Sequence, residues 1–76
     1  MSVQKMCTLS VGQWGVVEQI EPECSLRERL ALLGFAPGER VCRMYTDKKG
    51  FLSAYRVENS LIAVRKTDAS SVLVRV

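Results

Sequence analysis

Cys7, Cys24 and Cys42 are the side chains of this 76-residue sequence best suited to metal or redox chemistry, and no histidine stands beside them. Thiolates select soft or borderline metals such as zinc, or iron–sulfur clusters. The three cysteines are widely spaced and form no Cys-x-x-Cys pair, so only the fold could gather them. The plainer expectation is that Cys42 is a small core residue on a strand and that Cys7 and Cys24 sit near segment ends. Catalysis has little to build on. Histidine, the commonest general base, is absent, and no motif pairs a thiol with a carboxylate. The sequence therefore predicts no catalytic residue, no cofactor and no assigned metal ligand, and so no enzyme.

The remaining chemistry is that of contact. Trp14, the one tryptophan, has two readings: a barrel-end core residue whose N–H finds a carbonyl, or a surface anchor for a partner. Leu32 falls off the apolar stripe of its helix, beside Glu28 and Arg29. It either packs under the Phe35 loop or meets a partner as an apolar spot with a charged rim. Lys48, Lys49 and Phe51 at a hairpin tip form a solvated loop with Phe51 partly buried, or a second patch. The candidate partner-binding residues are thus Leu26, Arg29, Leu32, Phe35, Lys48, Lys49, Phe51 and Trp14.

The elements that position them are short, with turn residues about every ten positions, a rhythm that favours a small barrel. Val16–Ile20 reads as a first strand, with Val16 and Ile20 on one face and Val17 on the other. Ser25-Leu26-Arg27-Glu28 fits a capping box, which predicts a helix over 26–33 stopped by Gly34. Leu26, Leu30 and Leu33 form its core-facing stripe. Pro37 and Gly38 give a type II turn. Strands follow over 39–46, 51–57 and 61–65, joined by the 47–50 loop and by a turn in which Asn59 takes positive φ. Thr67 caps one helical turn over 67–70, and Val72–Val76 closes as a fifth strand. Five strands with a helix in the first connection predict a mainly β, five-stranded SH3-like barrel.

Composition agrees with a globular chain: 47% hydrophobic and 25% charged residues. The net charge of +3 and pI near 9.0 invite a nucleic-acid reading. The basic residues are scattered among acids, with no arginine-rich arm, which argues against it. Met1 to Ser10 holds no apolar core of a secretion signal, and no apolar run reaches the ~20 residues of a membrane span. An odd cysteine count without such a signal points to reduced thiols and a cytoplasmic location.

Three stretches carry a resemblance. Thr8-Leu9-Ser10-Val11-Gly12-Gln13-Trp14-Gly15-Val16-Val17, the run Leu26 to Glu39 (Leu-Arg-x-Arg-Leu, then Leu-Gly, then Pro-Gly) and Arg65-Lys66-Thr67-Asp68-Ala69 resemble the FeoA (ferrous iron transport protein A) family. The central motif is the specific one, and the glycine that the family carries near Asn59-Ser60 is missing here. The resemblance implies one FeoA-like SH3-like domain over 1–76. It also implies an accessory role in ferrous iron uptake, exerted by binding the cytoplasmic G-protein domain of a FeoB-type membrane transporter. It supplies neither catalytic residues nor a metal site. A nucleic-acid-binding barrel and a metal-responsive domain using the cysteines stand as alternatives, and homo-oligomerisation through a hydrophobic barrel edge stays open.

Overall fold

Runs of β-branched and aromatic residues form most of one antiparallel sheet. In the computed structural model, which describes residues 2–76 (Met1 lies outside the described residues), the strands are β1 (Val3–Lys5), β2 (Trp14–Ile20), β3 (Arg40–Thr46), β4 (Leu52–Val57), β5 (Ser60–Arg65) and β6 (Val72–Arg75). A 3-10 turn, Met6–Thr8, follows β1; helix α1 (Arg27–Leu32) joins β2 to β3, and helix α2 (Lys66–Ala69) joins β5 to β6. The strand order is β1-β6-β2-β3-β4-β5. This is a mainly β, SH3-like barrel with six strands rather than five. The added strand, β1, is three residues long and exists through its ladder to β6, in which Val3 faces Arg75 and Lys5 faces Leu73. Pairing so distant in sequence leaves no local signature.

The barrel interior collects Met6, Leu9, Val17, Tyr55, Val72 and Val74, all at most 1% exposed. Phe35 and Tyr55 meet edge to face, ring centroids 6.4 Å apart, a geometry worth about 0.5–1.5 kcal/mol beyond burial. In β2, Val17 and Ile20 both enter the core, while Val16 is outside it. The expected alternation fails because the register with β6 shifts between Val17 and Gln19. A bulge inserts one residue and turns the rest of the strand to the other face.

Helix α1 departs from its expected start. It begins at Arg27, after a Leu26 cap at φ −101°, and no side chain caps it. The chain enters through a turn, in which Cys24 N–H donates to Glu21 O and Arg27 N–H to Cys24 O. Ser25 therefore lacks the extended backbone a capping box needs. The C-terminus follows expectation: Gly34 has φ +114°, and Phe35 N–H donates to Leu30 O while Gly34 N–H donates to Ala31 O. That pair of bonds is a Schellman motif. Of the leucine stripe, Leu30 is buried and Leu26 packs against the core, but Leu33 is 39% exposed. Helix α2 starts one residue before Thr67 and has no side-chain cap, because Lys66 N–H continues the strand ladder by donating to Phe51 O.

The turn from β4 to β5 places Glu58, not Asn59, at positive φ (+53°). A β-carbon there costs about 1–2 kcal/mol. Glu58→Gly therefore raises the melting temperature by roughly 2–6 °C, the glycine's own backbone entropy offsetting part of the gain. Differential scanning calorimetry checks this; an unchanged or lower value contradicts it.

Arg43 on β3 ties the N-terminal segment to the sheet. Its Nη1 donates to the carbonyls of Leu9 (2.8 Å) and Cys7 (3.3 Å). Its Nε and Nη2 donate to Ser53 Oγ at 3.1 and 2.9 Å, and Nη2 also reaches Thr46 Oγ1 at 3.1 Å. Beneath it, the Tyr55 hydroxyl donates to Met6 O at 3.5 Å. Burial pushes the Tyr55 phenol above its ordinary value of 10.0, outweighing the opposite pull of Arg43 and of a Ser53 hydrogen bond. Above about pH 10 the unfolded chain releases this proton while the folded chain keeps it, so stability falls as pH rises until the folded phenol ionises. The stability difference between the wild type and Tyr55→Phe is thus constant from pH 7 to 9 and shrinks above about pH 10. An offset unchanged through alkaline pH, read by urea unfolding, contradicts this.

Candidate functional site

The strands sort their residues between two faces. On β4, Ser53, Tyr55 and Val57 point inward, and Leu52, Ala54 and Arg56 outward. Strand register then assembles the outer face. Trp14, Cys42, Arg56 and Leu61 form one cross-strand row, Tyr45, Ala54 and Ala63 a second, and Leu52 lies opposite Arg65. A register shift between Arg43 and Tyr45 turns Tyr45 onto this face. Trp14, Tyr45, Leu52 and Leu61 are 45%, 62%, 44% and 55% exposed. The Arg40 guanidinium lies 4.7 Å from the Trp14 ring centroid. Strands β3, β4 and β5 contain no aspartate or glutamate, so the charges they add to this face are those of Arg40, Arg56 and Arg65, with Asp47 at its border and Asp68 paired to Arg65. Exposed Trp, Tyr and Arg are the side chains that carry most binding energy at protein interfaces.

The sequence-predicted residues land unevenly. Trp14 is a surface residue, which favours the anchor reading. Leu32 is 88% exposed, so it does not pack under the Phe35 loop. Phe35 is fully buried and is withdrawn as a partner contact: the Schellman turn carries it into the core beside Tyr55. Leu26 and Arg29 line a groove of about 320 Å³ between α1 and β5, with Leu33, Ile62, Val64 and Arg65. Phe51, expected partly buried, is 63% exposed. It lines a mostly apolar groove of about 500 Å³ with Leu52, Arg65, Lys66 and Thr67, next to exposed Lys48 and Lys49. Arg65 borders both grooves, so the helix side and the hairpin side adjoin at the end of β5.

Tyr45, Leu52, Leu61, Arg40 and Arg56 were not foreseen as site residues. For Leu52, Leu61, Arg40 and Arg56 the available signal was their alternation with core residues on acid-free strands; Tyr45 breaks that alternation at the register shift in β3. Cys42 is buried, as expected, but lies in the outer row and outside the contiguous core. Cys7 and Cys24 are partly buried free thiols. Among the described residues no three His, Cys, Asp or Glu side chains are placed to hold a metal ion. No helix among them is long and apolar enough to cross a membrane.

Fold and surface together define an SH3-like barrel with an apolar, arginine-bearing outer face. A family model described as the FeoA domain matches residues 4–76, and the chain belongs to that family. Solved structures agree. An iron uptake regulatory protein (FeoA) crystal structure superposes with a TM-score of 0.84 at 24% identity, covering 99% of this chain and 97% of its own. A FeoA-like protein from Clostridium acetobutylicum gives 0.90 at 21% identity, covering 100% and 88%. The zinc-complexed FeoA of Stenotrophomonas maltophilia gives 0.80 at 26%, covering 91% and 86%. That protein is described as a prokaryotic SH3 domain protein and as a candidate activating factor for ferrous iron transport. No curated protein sequence matches this chain closely enough to count as a relative.

Proposed function

We propose that this chain is a cytoplasmic accessory protein of ferrous iron uptake that works by binding, not by catalysis. Its partner in this reading is the cytoplasmic G-protein domain of a FeoB-type membrane transporter, whose activity it modulates. The observation that carries the reading is the outer sheet face of a FeoA-family barrel, where apolar side chains stand among arginines with no carboxylate on β3–β5. Such a face suits a partner surface with apolar anchors inside an acidic rim. Leu32 and Arg29 on α1 extend the contact, and Lys48, Lys49 and Phe51 extend it at the hairpin tip. Tyr55, whose phenol burial pushes above its ordinary value, serves the core, its hydroxyl donating to Met6 O. Its position supports a role for the surface over pocket chemistry.

The test is direct binding of the purified chain to the transporter's cytoplasmic domain, measured calorimetrically at two salt concentrations. Binding that weakens as salt rises supports the charge complementarity. No binding at low salt overturns the assignment of this partner.

A further inference from the structure

Strand β5 ends the sheet, and its outer flank pairs with no other strand among the described residues. Proteins ordinarily blunt such edges with brevity, proline, bulges or inward charges. The opposite edge is blunted by brevity: β1 has three residues. Strand β5 is six residues long, has no proline, and keeps an unbroken register with β4 from Leu52–Arg65 to Val57–Ser60.

The register also shows which backbone groups face outward. Lys66 N–H donates to Phe51 O, which makes this a hydrogen-bonded pair. Antiparallel alternation then makes Ser53–Val64, Tyr55–Ile62 and Val57–Ser60 bonded pairs as well. The N–H and C=O groups of Leu61, Ala63 and Arg65 are left pointing away from β4. All three residues are exposed. The groove against α1 runs beside this edge, walled by Leu26, Arg29 and Leu33.

We propose that β5 takes up an extended segment of a partner protein by strand addition between the sheet edge and α1, and that this segment alternates apolar and acidic residues. Added side chains opposite Ile62 and Val64 enter the groove, where Leu26 and Leu33 reward apolar groups. Those opposite Leu61, Ala63 and Arg65 lie on the positive outer face. The surroundings favour negative charge along most of the edge: Arg29, Arg65 and Lys66 border the site, Asp68 already pairs with Arg65 at 3.3 Å, and Glu58 lies at the far end against Gly34. A second copy of the chain fits less well. Antiparallel self-pairing about Ala63 would set Arg65 opposite Leu61 of the other copy, and β5 carries no carboxylate to meet it.

The inference deepens the reading of the chain as an interaction module and rests on it, but its test does not use the transporter. The probes are two fluorescein-labelled octapeptides, one alternating valine and glutamate, the other alternating valine and lysine, titrated by anisotropy against the full chain. The glutamate peptide is expected to bind at least tenfold more tightly. Its binding should slow hydrogen exchange at Leu61, Ala63 and Arg65. Ala63→Pro removes an outward N–H that β4 does not use, a position where an edge strand accepts proline. It should weaken peptide binding at least tenfold with the circular dichroism spectrum retained. If that variant fails to fold, the glutamate peptide N-methylated at alternate residues replaces it, with the same loss expected. Equal affinity for both peptides, or undiminished binding after N-methylation or with folded Ala63→Pro, overturns the proposal. So does concentration-dependent dimerisation that Ala63→Pro abolishes while the peptides fail to bind. Peptide capture without transporter binding counts against the transporter and leaves the edge standing.

Discussion

Replacing Arg43 with methionine lowers the melting temperature of this chain by roughly 10–20 °C, the largest stability effect expected of any single polar side chain here. The guanidinium satisfies the carbonyls of Cys7 and Leu9 and holds the Ser53 and Thr46 hydroxyls. Hydrogen bonds to a charged donor contribute about 1.5–3 kcal/mol, and a buried acceptor left unpaired costs about 1–3 kcal/mol. Some of that is recovered by water, so a net loss of about 2–4 kcal/mol is the expectation. In a chain this small, whose total stability is about 5–10 kcal/mol, that is a large share. Arg43→Lys should rescue only part of it, because a single ammonium cannot reproduce the planar fork. The loss should begin locally. Met6 and Leu9 are fully buried, and they stay so only while the segment carrying them is fastened to β3. Thermal unfolding with hydrogen exchange of residues 2–13 checks both points. A melting point within about 3 °C of wild type would show that Arg43 is dispensable.

On the proposed function, Tyr45→Glu and Leu32→Glu are each expected to weaken binding to the transporter's cytoplasmic domain by about 10–100-fold and to leave the fold intact. Both side chains are largely solvent-exposed, at 62% and 88%, so their replacement removes little core packing. Surface substitutions of this kind change stability by about 0.5 kcal/mol at most. The binding loss has two parts. An apolar anchor disappears, and a carboxylate enters a region that the partner must meet with negative charge. The two substitutions also separate the surfaces: Tyr45 reports on the sheet face and Leu32 on α1. Unchanged binding by Leu32→Glu would remove the helix from the interface. Unchanged binding by Tyr45→Glu would remove the outer sheet face, and with it the main support for the partner assignment.

The architecture was largely legible in the residues. Gly34 and Gly38 mark the helix stop and the following turn, and both take positive φ. The apolar runs around Val41, Tyr55 and Val74 locate strands correctly. What escaped depends on distant pairing. Strand β1 forms only against β6. The bulge between Val17 and Gln19 also arises against β6, and it decides which face Ile20 occupies. The capping box at Ser25 and Glu28 was a sound local pattern that the entering turn overrides. For the site, Leu32 and Phe51 were recognisable as surplus to a core stripe or as a hairpin tip. Phe35 was not separable from them, because its burial follows from where the Schellman turn aims the chain. Tyr45 and Leu61 could be placed on one face only through the register of three strands.

The most direct test of the central claim is an amide hydrogen-exchange footprint of the full chain with and without the transporter's cytoplasmic domain. Slowed exchange confined to β3–β5, α1 and the 47–51 loop is the predicted result. Protection confined to β1, β6 and the 3-10 turn, or none at saturating partner, would contradict it.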